Sequence, residues 1–319
     1  MTNTDQPSSD ADSESESVAP NEPIVYDEDG DLTILVGPEP DVPQYRVDSK
    51  TLSRSSPVFK KMLFGGFAES RPSNGKDWVV HLPDDDFSSM EIIFSIAHGV
   101  FEDVPTSISV HDLYTLLAHT EKYDSTHLLR PWAKLWSDYL VLTRDRTEPK
   151  LLCVAWGLGD EDLFREMVRA IANNCLIDAD GNVFYGPSGL SGFALSSLIH
   201  LMPPDIEETI EENRTRLVAA ELEPFINIYN ACITTGTSRC ASKGDGWKCD
   251  SMVLGSLIKA LLGVGIDITM PNVVDLYRGS VSDLRQMLRE MHIVSFCKAL
   301  ILTDSQIEYL DRQAERTGL

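Results

Sequence analysis

Between residues 31 and 82 the chain fixes an order of elements that sets the character of its first third. Leu32, Ile34 and Val36 alternate at the period of a strand, and Tyr45-Arg-Val47 supplies a second apolar stretch. The run Leu52-Ser-Arg-Ser-Ser-Pro-Val-Phe59 then opens a helix at Ser56-Pro57, where a serine accepts an orphan backbone N–H and a proline at the first helical position loses no hydrogen bond. That helix is expected to bury Val58, Phe59, Met62 and Leu63 and to stop at Gly65-Gly66. A third strand, Trp78-Val-Val-His-Leu82, follows a polar loop, and Asp84-Asp-Asp86 leads into another helix. Ser88-Ser-Met-Glu91 reads as a capping box ahead of Ile92, Ile93 and Ile96, and Ser109-Val-His-Asp112 does the same before Leu113, Leu116 and Leu117.

With Leu116-Leu-Ala-His-Thr-Glu-Lys-Tyr-Asp124 and the tryptophan-bearing Pro131-Trp-Ala-Lys-Leu-Trp136 added, this order resembles a BTB/POZ domain over about residues 29–142. The texture is similar to BTB proteins common in filamentous fungi, with the strongest matches at Asp31, Leu52, Ser56 to Phe59 and Lys122-Tyr123-Asp124. The resemblance implies an α+β domain, a short sheet with helices, that self-associates or recruits a protein partner without catalysis. Two departures matter. Asp48 and Ser49 stand where many family members carry His followed by Arg or Lys, which puts a charged pocket with Asp31 in doubt, and residues 1–28 lack the amphipathic helix that the swapped dimer needs. Family members that bind a cullin tend to carry a hydrophobic-x-Glu pattern after the third BTB helix. Val100-Phe101-Glu102 stands at that place, so these three residues are the candidate partner-binding site of a substrate adaptor of a cullin-type ubiquitin ligase.

Charge narrows the partners. The formal net charge is -23, with 27 Lys+Arg against 50 Asp+Glu, and a phosphate backbone would find no basic surplus. Residues 1–31 hold ten acids and no Lys or Arg, interspersed with Ser8, Ser9, Ser13, Ser15 and Ser17. Residues 1–28 are therefore expected to form a disordered acidic leader. It is either a solubilising leader or a regulated tail, since Ser9 and Ser13 each have an acid three residues on, a pattern that acidophilic kinases favour. Without a positive start, an apolar leader or a bilayer-length apolar window, the expectation is an intracellular chain, cytoplasmic or nuclear, with no membrane partner. Six scattered cysteines (153, 175, 232, 240, 249, 297) fit reduced thiols.

From residue 143 to 319 the pattern predicts an all-helical region. Trp132, Leu135, Trp136, Tyr139 and Leu140 form one wide apolar stripe, to be covered by helices at 149–158 and around Leu163, Phe164, Met167, Val168 and Ile171, with Cys153, Trp156 and Phe164 as core. Asp178-Ala-Asp-Gly-Asn182 reads as the turn of a small hairpin with Val183-Phe-Tyr185, because its glycine falls too early for a calcium loop. A helix from about Asp205 to Glu223 is expected to bend or end at Pro224. Residues 234–251 break every periodicity and read as a loop. The remainder is helical again, with Ser280-Val-Ser-Asp283 and Thr303-Asp-Ser-Gln306 as caps.

No catalytic pattern stands out. Gly157-Leu-Gly159 has Asp162 where a dinucleotide loop needs its third glycine, and neither serine of Gly186-Pro-Ser-Gly-Leu-Ser-Gly192 has glycines at both offsets of a nucleophile elbow. Cys240 and Cys249, with Cys232, His292 and Cys297 nearby, are either free thiols or a zinc site of no compact spacing. The expectation is a non-enzyme without cofactor or metal, an interaction scaffold with protein partners or a homo-oligomer. The alternative of another class is a metal-binding or enzymatic C-terminal region.

Overall fold

The computed structural model describes residues 22–40, 42–74, 76–143, 148–185, 193–234 and 246–294, and it is mixed α+β, 60% helical with small sheets. The N-terminal leader up to residue 21, most of the 234–251 loop and the Thr303 cap lie outside the described residues. By internal contact the chain divides into two units, Met1–Val104 with Lys122–Leu128, and Pro105–Glu121 with Leu129–Leu319. Residues 105–121 and 129–142, which the resemblance counts with the first domain, thus group with the second unit.

In the first unit, β1 (Ile24–Val25), β2 (Leu32–Val36), β3 (Gln44–Val47) and β4 (Val79–Leu82) form one sheet in the order β1-β3-β2-β4. The central pair β2/β3 is antiparallel, whereas β1 runs parallel to β3 and β4 parallel to β2. Ile34 lies opposite both Tyr45 and Val80, and all three are buried. The alternation in β2 thus turns Leu32, Ile34 and Val36 into one face of the core.

The helix expected from Ser56-Pro57 is α2 (Pro57–Phe64), and a helix that the sequence pattern does not announce, α1 (Ser49–Ser55), precedes it and is joined to it at Ser56. Pro57 has no N–H to continue α1, and its ring restricts Ser56 to extended backbone (φ −147°, ψ 123°). Ser56 therefore ends one helix and caps the next, its Oγ accepting from Phe59 N at 3.0 Å. On α2 only Phe59 and Leu63 are fully buried, and Val58 and Met62 are partly exposed.

Helix α3 (Phe87–His98) takes its cap two residues before the expected Ser88. Asp86 fills that place, accepting from Ser89 N at 2.8 Å, and Glu91 turns away to accept from Tyr45 OH at 2.9 Å. The leader also ends earlier than residue 28. Ile24 and Val25 join the sheet, and Tyr26 packs among Tyr45, Phe94 and His98 with ring centroids 5.9–6.3 Å apart, giving residues 22–28 an aromatic anchor that composition alone hides.

The second unit holds most of α4 (Val110–Lys122), then α5 (Arg130–Thr143), α6 (Lys150–Leu158), α7 (Glu161–Asn174), α8 (Ile206–Ile233), α9 (Gly246–Gly263), α10 (Val273–Leu276) and α11 (Val281–Glu290). It is not all-helical: β5 (Leu176–Ile177), β6 (Val183–Tyr185) and β7 (Phe193–Ala194) make an antiparallel sheet. The hairpin turn is where the sequence places it, with Asp178 Oδ1 accepting from the N–H groups of Asp180 and Asn182 at 2.9 and 2.7 Å.

Helix α8 continues through Pro224 for 28 residues. Its packing offsets the hydrogen bond that proline removes, because Val218, Leu222 and Phe225 on either side are buried with Leu257, Leu261, Val281 and Leu284. Helices α4 and α6 approach so closely that a Cβ on Gly157 would stand 2.9 Å from a Leu117 methyl. Six residues of the supposed 234–251 loop, Gly246 to Ser251, are helical in α9.

The apolar stripe of α5 is only half covered. Trp136 is fully buried, with its Nε1–H donating to Pro105 O at 2.8 Å, and Leu140 is buried too. Leu135, Tyr139 and Leu142 are exposed and Trp132 is intermediate. Trp156, expected in the core, is 50% exposed and lies against the partly buried Phe164, with centroids 5.7 Å apart.

Candidate partner-binding site

The three candidate residues sit on one short turn. Helix α3 closes at Gly99, whose φ of 79° is a left-handed cap that only glycine takes without strain, and Val100 N donates back to Ser95 O at 2.9 Å. Phe101, Glu102 and Asp103 then form a single 3-10 turn, closed where Val104 N donates to Phe101 O at 3.2 Å. Val104 is buried and pins the far end of the turn. Val100 is partly buried, whereas Glu102 and Asp103 are exposed and the Phe101 side chain is 57% exposed. Phe101 therefore does not plug the core. The turn presents an aromatic ring beside two carboxylates at the end of a rigid helix.

Helix α3 is held in place from behind by a polar and aromatic network. Asp48 N–H donates to His98 Nε2 at 3.1 Å, so the His98 proton stands on Nδ1, 3.0 Å from Phe94 O. Asp48 itself caps α1, its Oδ1 accepting from Lys50 N at 2.6 Å. Asp31 accepts from Ser49 N and Ser49 Oγ at 3.0 and 3.1 Å, and its cationic neighbour is Arg71 at 3.5 Å. A charged pair at Asp31 thus exists, with the cation supplied from a residue that the local motif does not contain.

Four of the residues that carry the resemblance, Ser56, Phe59, Lys122 and Tyr123, meet at one buried junction of the first unit. Asp85, nearly fully buried, accepts from Tyr123 OH and from Lys122 Nζ. The Tyr123 ring stacks on Phe59 at 4.3 Å with 4° between planes, and Ser56 Oγ donates to Tyr123 O. Burial, and then the bond to Asp85, pushes the Tyr123 phenol far up from its ordinary value. Sequence reading quoted Ser56, Phe59, Lys122 and Tyr123 as separate motif matches and missed Asp85 as their common acceptor. Its signal in the sequence is the acidic triplet Asp84 to Asp86, which local pattern assigns only to the lead into α3.

The thiols of the second unit offer little chemistry. Burial pushes Cys153 up to about 12 and Cys175 up to about 11, which keeps both protonated and poorly nucleophilic at neutral pH. Cys153 and Cys175 are free, but Cys249 is disulfide-bonded, which corrects the reading of six reduced thiols. Cys249 occupies the first turns of α9, next to residues outside the described set, and spacing in sequence carries no information about such a pairing. Among the described residues no group of three or more His, Cys, Asp or Glu side chains is arranged to hold a metal ion. No described helix is long and apolar enough to cross a membrane.

A scan against protein-family models finds no match to this chain, and no curated protein matches it.

Proposed function

We propose that this chain is a non-catalytic protein–protein interaction module of the BTB/POZ type, acting as a scaffold that recruits a protein partner or a second copy of itself. The observation that carries the reading is the junction of Ser56, Phe59, Asp85, Lys122 and Tyr123. Residues 67 positions apart in sequence, quoted separately for the resemblance, serve one hydrogen-bonded and stacked core. Recovery of the full-length protein with its bound partners, followed by mass spectrometry and a solution mass measurement, tests it. Stoichiometric co-purification of a protein or a mass of two chains is the expected result; a monomer that retains no partner under native conditions overturns it.

A second, narrower reading is that of a substrate adaptor for a cullin-type ubiquitin ligase. It is favoured by the exposure of Phe101 next to Glu102, since an aromatic anchor with a carboxylate beside it is the kind of group that dominates an interface. Purified protein is expected to bind a BTB-specific cullin, and Val100→Asp or Glu102→Ala to weaken that binding by about 1–3 kcal/mol. Failure of the folded, unmodified protein to bind ends the adaptor reading and leaves the scaffold.

A further inference from the structure

The chain is strongly acidic, yet one stretch of it reverses sign. Residues 46–76 contain Arg46, Lys50, Arg54, Lys60, Lys61, Arg71 and Lys76 against only Asp48 and Glu69, a surplus of five positive charges in a protein of net charge -23. Lys50 and Arg54 share one face of α1, where Arg54 Nε donates to Lys50 O at 3.2 Å. Lys60, Lys61 and Phe64 share a face of α2, which is joined to α1 at Ser56. All four basic side chains are exposed, and none has an ion pair with a described residue. Beside them, Phe64 and Phe67 are exposed, and Phe64 stands edge-on to Trp78 at 5.9 Å while the Arg71 guanidinium lies over the same indole at 5.7 Å. Unpaired cations and aromatic rings on one helical hairpin suit an acidic, extended peptide.

We infer that the occupant of this basic and aromatic face is the chain's own leader, residues 1–21. That segment carries Asp5, Asp10, Asp12, Glu14 and Glu16 and no Lys or Arg, so its charge is complementary to the α1–α2 face. It is also tethered to the right unit: Glu22 follows it directly, and Ile24–Val25 is fixed in the sheet alongside β3, the strand that leads into α1. A 21-residue chain obeying random-coil statistics has a root-mean-square span of about 25 Å. Tethering at that range gives an effective concentration of about millimolar, so weak ionic contacts suffice to hold the segment on the face. A second copy of the chain would have to approach against the repulsion of its own net charge and without the tether. Phosphate on Ser9 or Ser13 would add charge to the leader and tighten the same contact.

Zero-length carbodiimide cross-linking of the full chain at low salt, with peptide mapping by mass spectrometry, tests this inference independently of the interaction reading above. The expected result is amide links, within one chain, from carboxylates of residues 1–21 to Lys50, Lys60 or Lys61, lost at about 0.5 M salt. Lys60→Glu with Lys61→Glu is expected to lower the remaining links at Lys50 about fivefold or more while leaving the melting temperature unchanged, because both side chains are exposed. Links scattered evenly over Lys122, Lys134, Lys150 and Lys259 overturn it, as do no leader links at all. Links found only between isotopically distinguished copies overturn it as well. The unaltered chain's map decides by itself should the double variant misfold.

Discussion

In the first unit a buried carboxylate is fully served, while in the second a buried guanidinium is not. Asp85 receives Tyr123 OH and Lys122 Nζ, inside a junction that also ties Ser56 and Phe59. Arg214, 4% exposed on α8, donates from Nη2 to Tyr277 O and Gly279 O at 2.8 and 2.7 Å, but its Nε has no partner and no carboxylate pairs with it among the described residues. Burial pulls the Arg214 guanidinium below its ordinary value. Around Arg214 the unit packs α8 against α9 and α11 through apolar side chains and one ion pair, Glu221 with Arg285 at 2.7 Å, whereas the first unit uses a polar junction to fix where α2 and the end of α4 meet. A satisfied polar network specifies one arrangement of the parts it joins, and a lone buried charge adds cost that apolar burial has to offset.

The comparison breaks first at Asp85. Asp85→Ala leaves the Tyr123 hydroxyl buried without its acceptor and is expected to cost about 3 kcal/mol, read from urea unfolding. Lys122→Ala at the same junction is expected to cost about 1 kcal/mol or less, since the ammonium is half exposed and screened. Equal losses from the two would show that the ion pair, and not the buried hydroxyl, holds the junction.

Alkaline pH probes the same contrast without deleting an acceptor. Tyr45 and Tyr123 are both raised above their ordinary phenol value, by burial first and then by their carboxylate partners. A raised folded value means that the native state holds these protons more tightly than the unfolded chain does. Their contribution is therefore complete below pH about 10 and is lost as pH rises beyond it. Melting temperature is expected to fall from pH 10 upwards, and Tyr123→Phe to flatten that fall while lowering stability at pH 7.

For the second unit, Arg214→Met removes the unpaired charge but strips two carbonyls of their donor, and a net loss of about 1–2 kcal/mol is expected. A gain in stability would mean that the orphaned Nε outweighs both bonds. The smallest effect is expected at the candidate site. Phe101→Ser should change folding stability by about 0.5 kcal/mol or less, because the ring is mostly in solvent, so any loss of partner binding in that variant reads as an interface effect.

Local chemistry made much of the first unit legible. Strand alternation placed β2, the Ser-Pro pair placed the start of α2, and Ser109 and Ser280 cap α4 and α11 as their spacing implies, with Asp112 N and Asp283 N each donating to the serine Oγ. The reading failed where two local signals competed, or where the deciding contact was distant. Asp86 outcompeted Ser88 for the cap of α3, the 28-residue α8 ran through Pro224 because its flanks are packed on both sides, and Trp156 is half exposed although its spacing suits a core. The candidate turn was legible as a pattern at Val100, Phe101 and Glu102, but nothing in the pattern says that Phe101 points to solvent.

Sequence by itself determined what spans a few residues: which stretches alternate at the period of a strand or a helix, where a proline cannot continue a helix, and which segments carry unbalanced charge. Those properties are set by φ and ψ preferences, by neighbours within one turn, and by composition, all of which act along the chain. Tertiary structure alone decided that Asp85 is the acceptor for Tyr123, that Tyr26 anchors residues 22–28 among Tyr45, Phe94 and His98, and that Arg71 is the cation at Asp31. Each of those contacts joins residues 19 to 72 positions apart. Desolvation and close packing choose such partners only after the elements have met, and no short window of sequence records the choice.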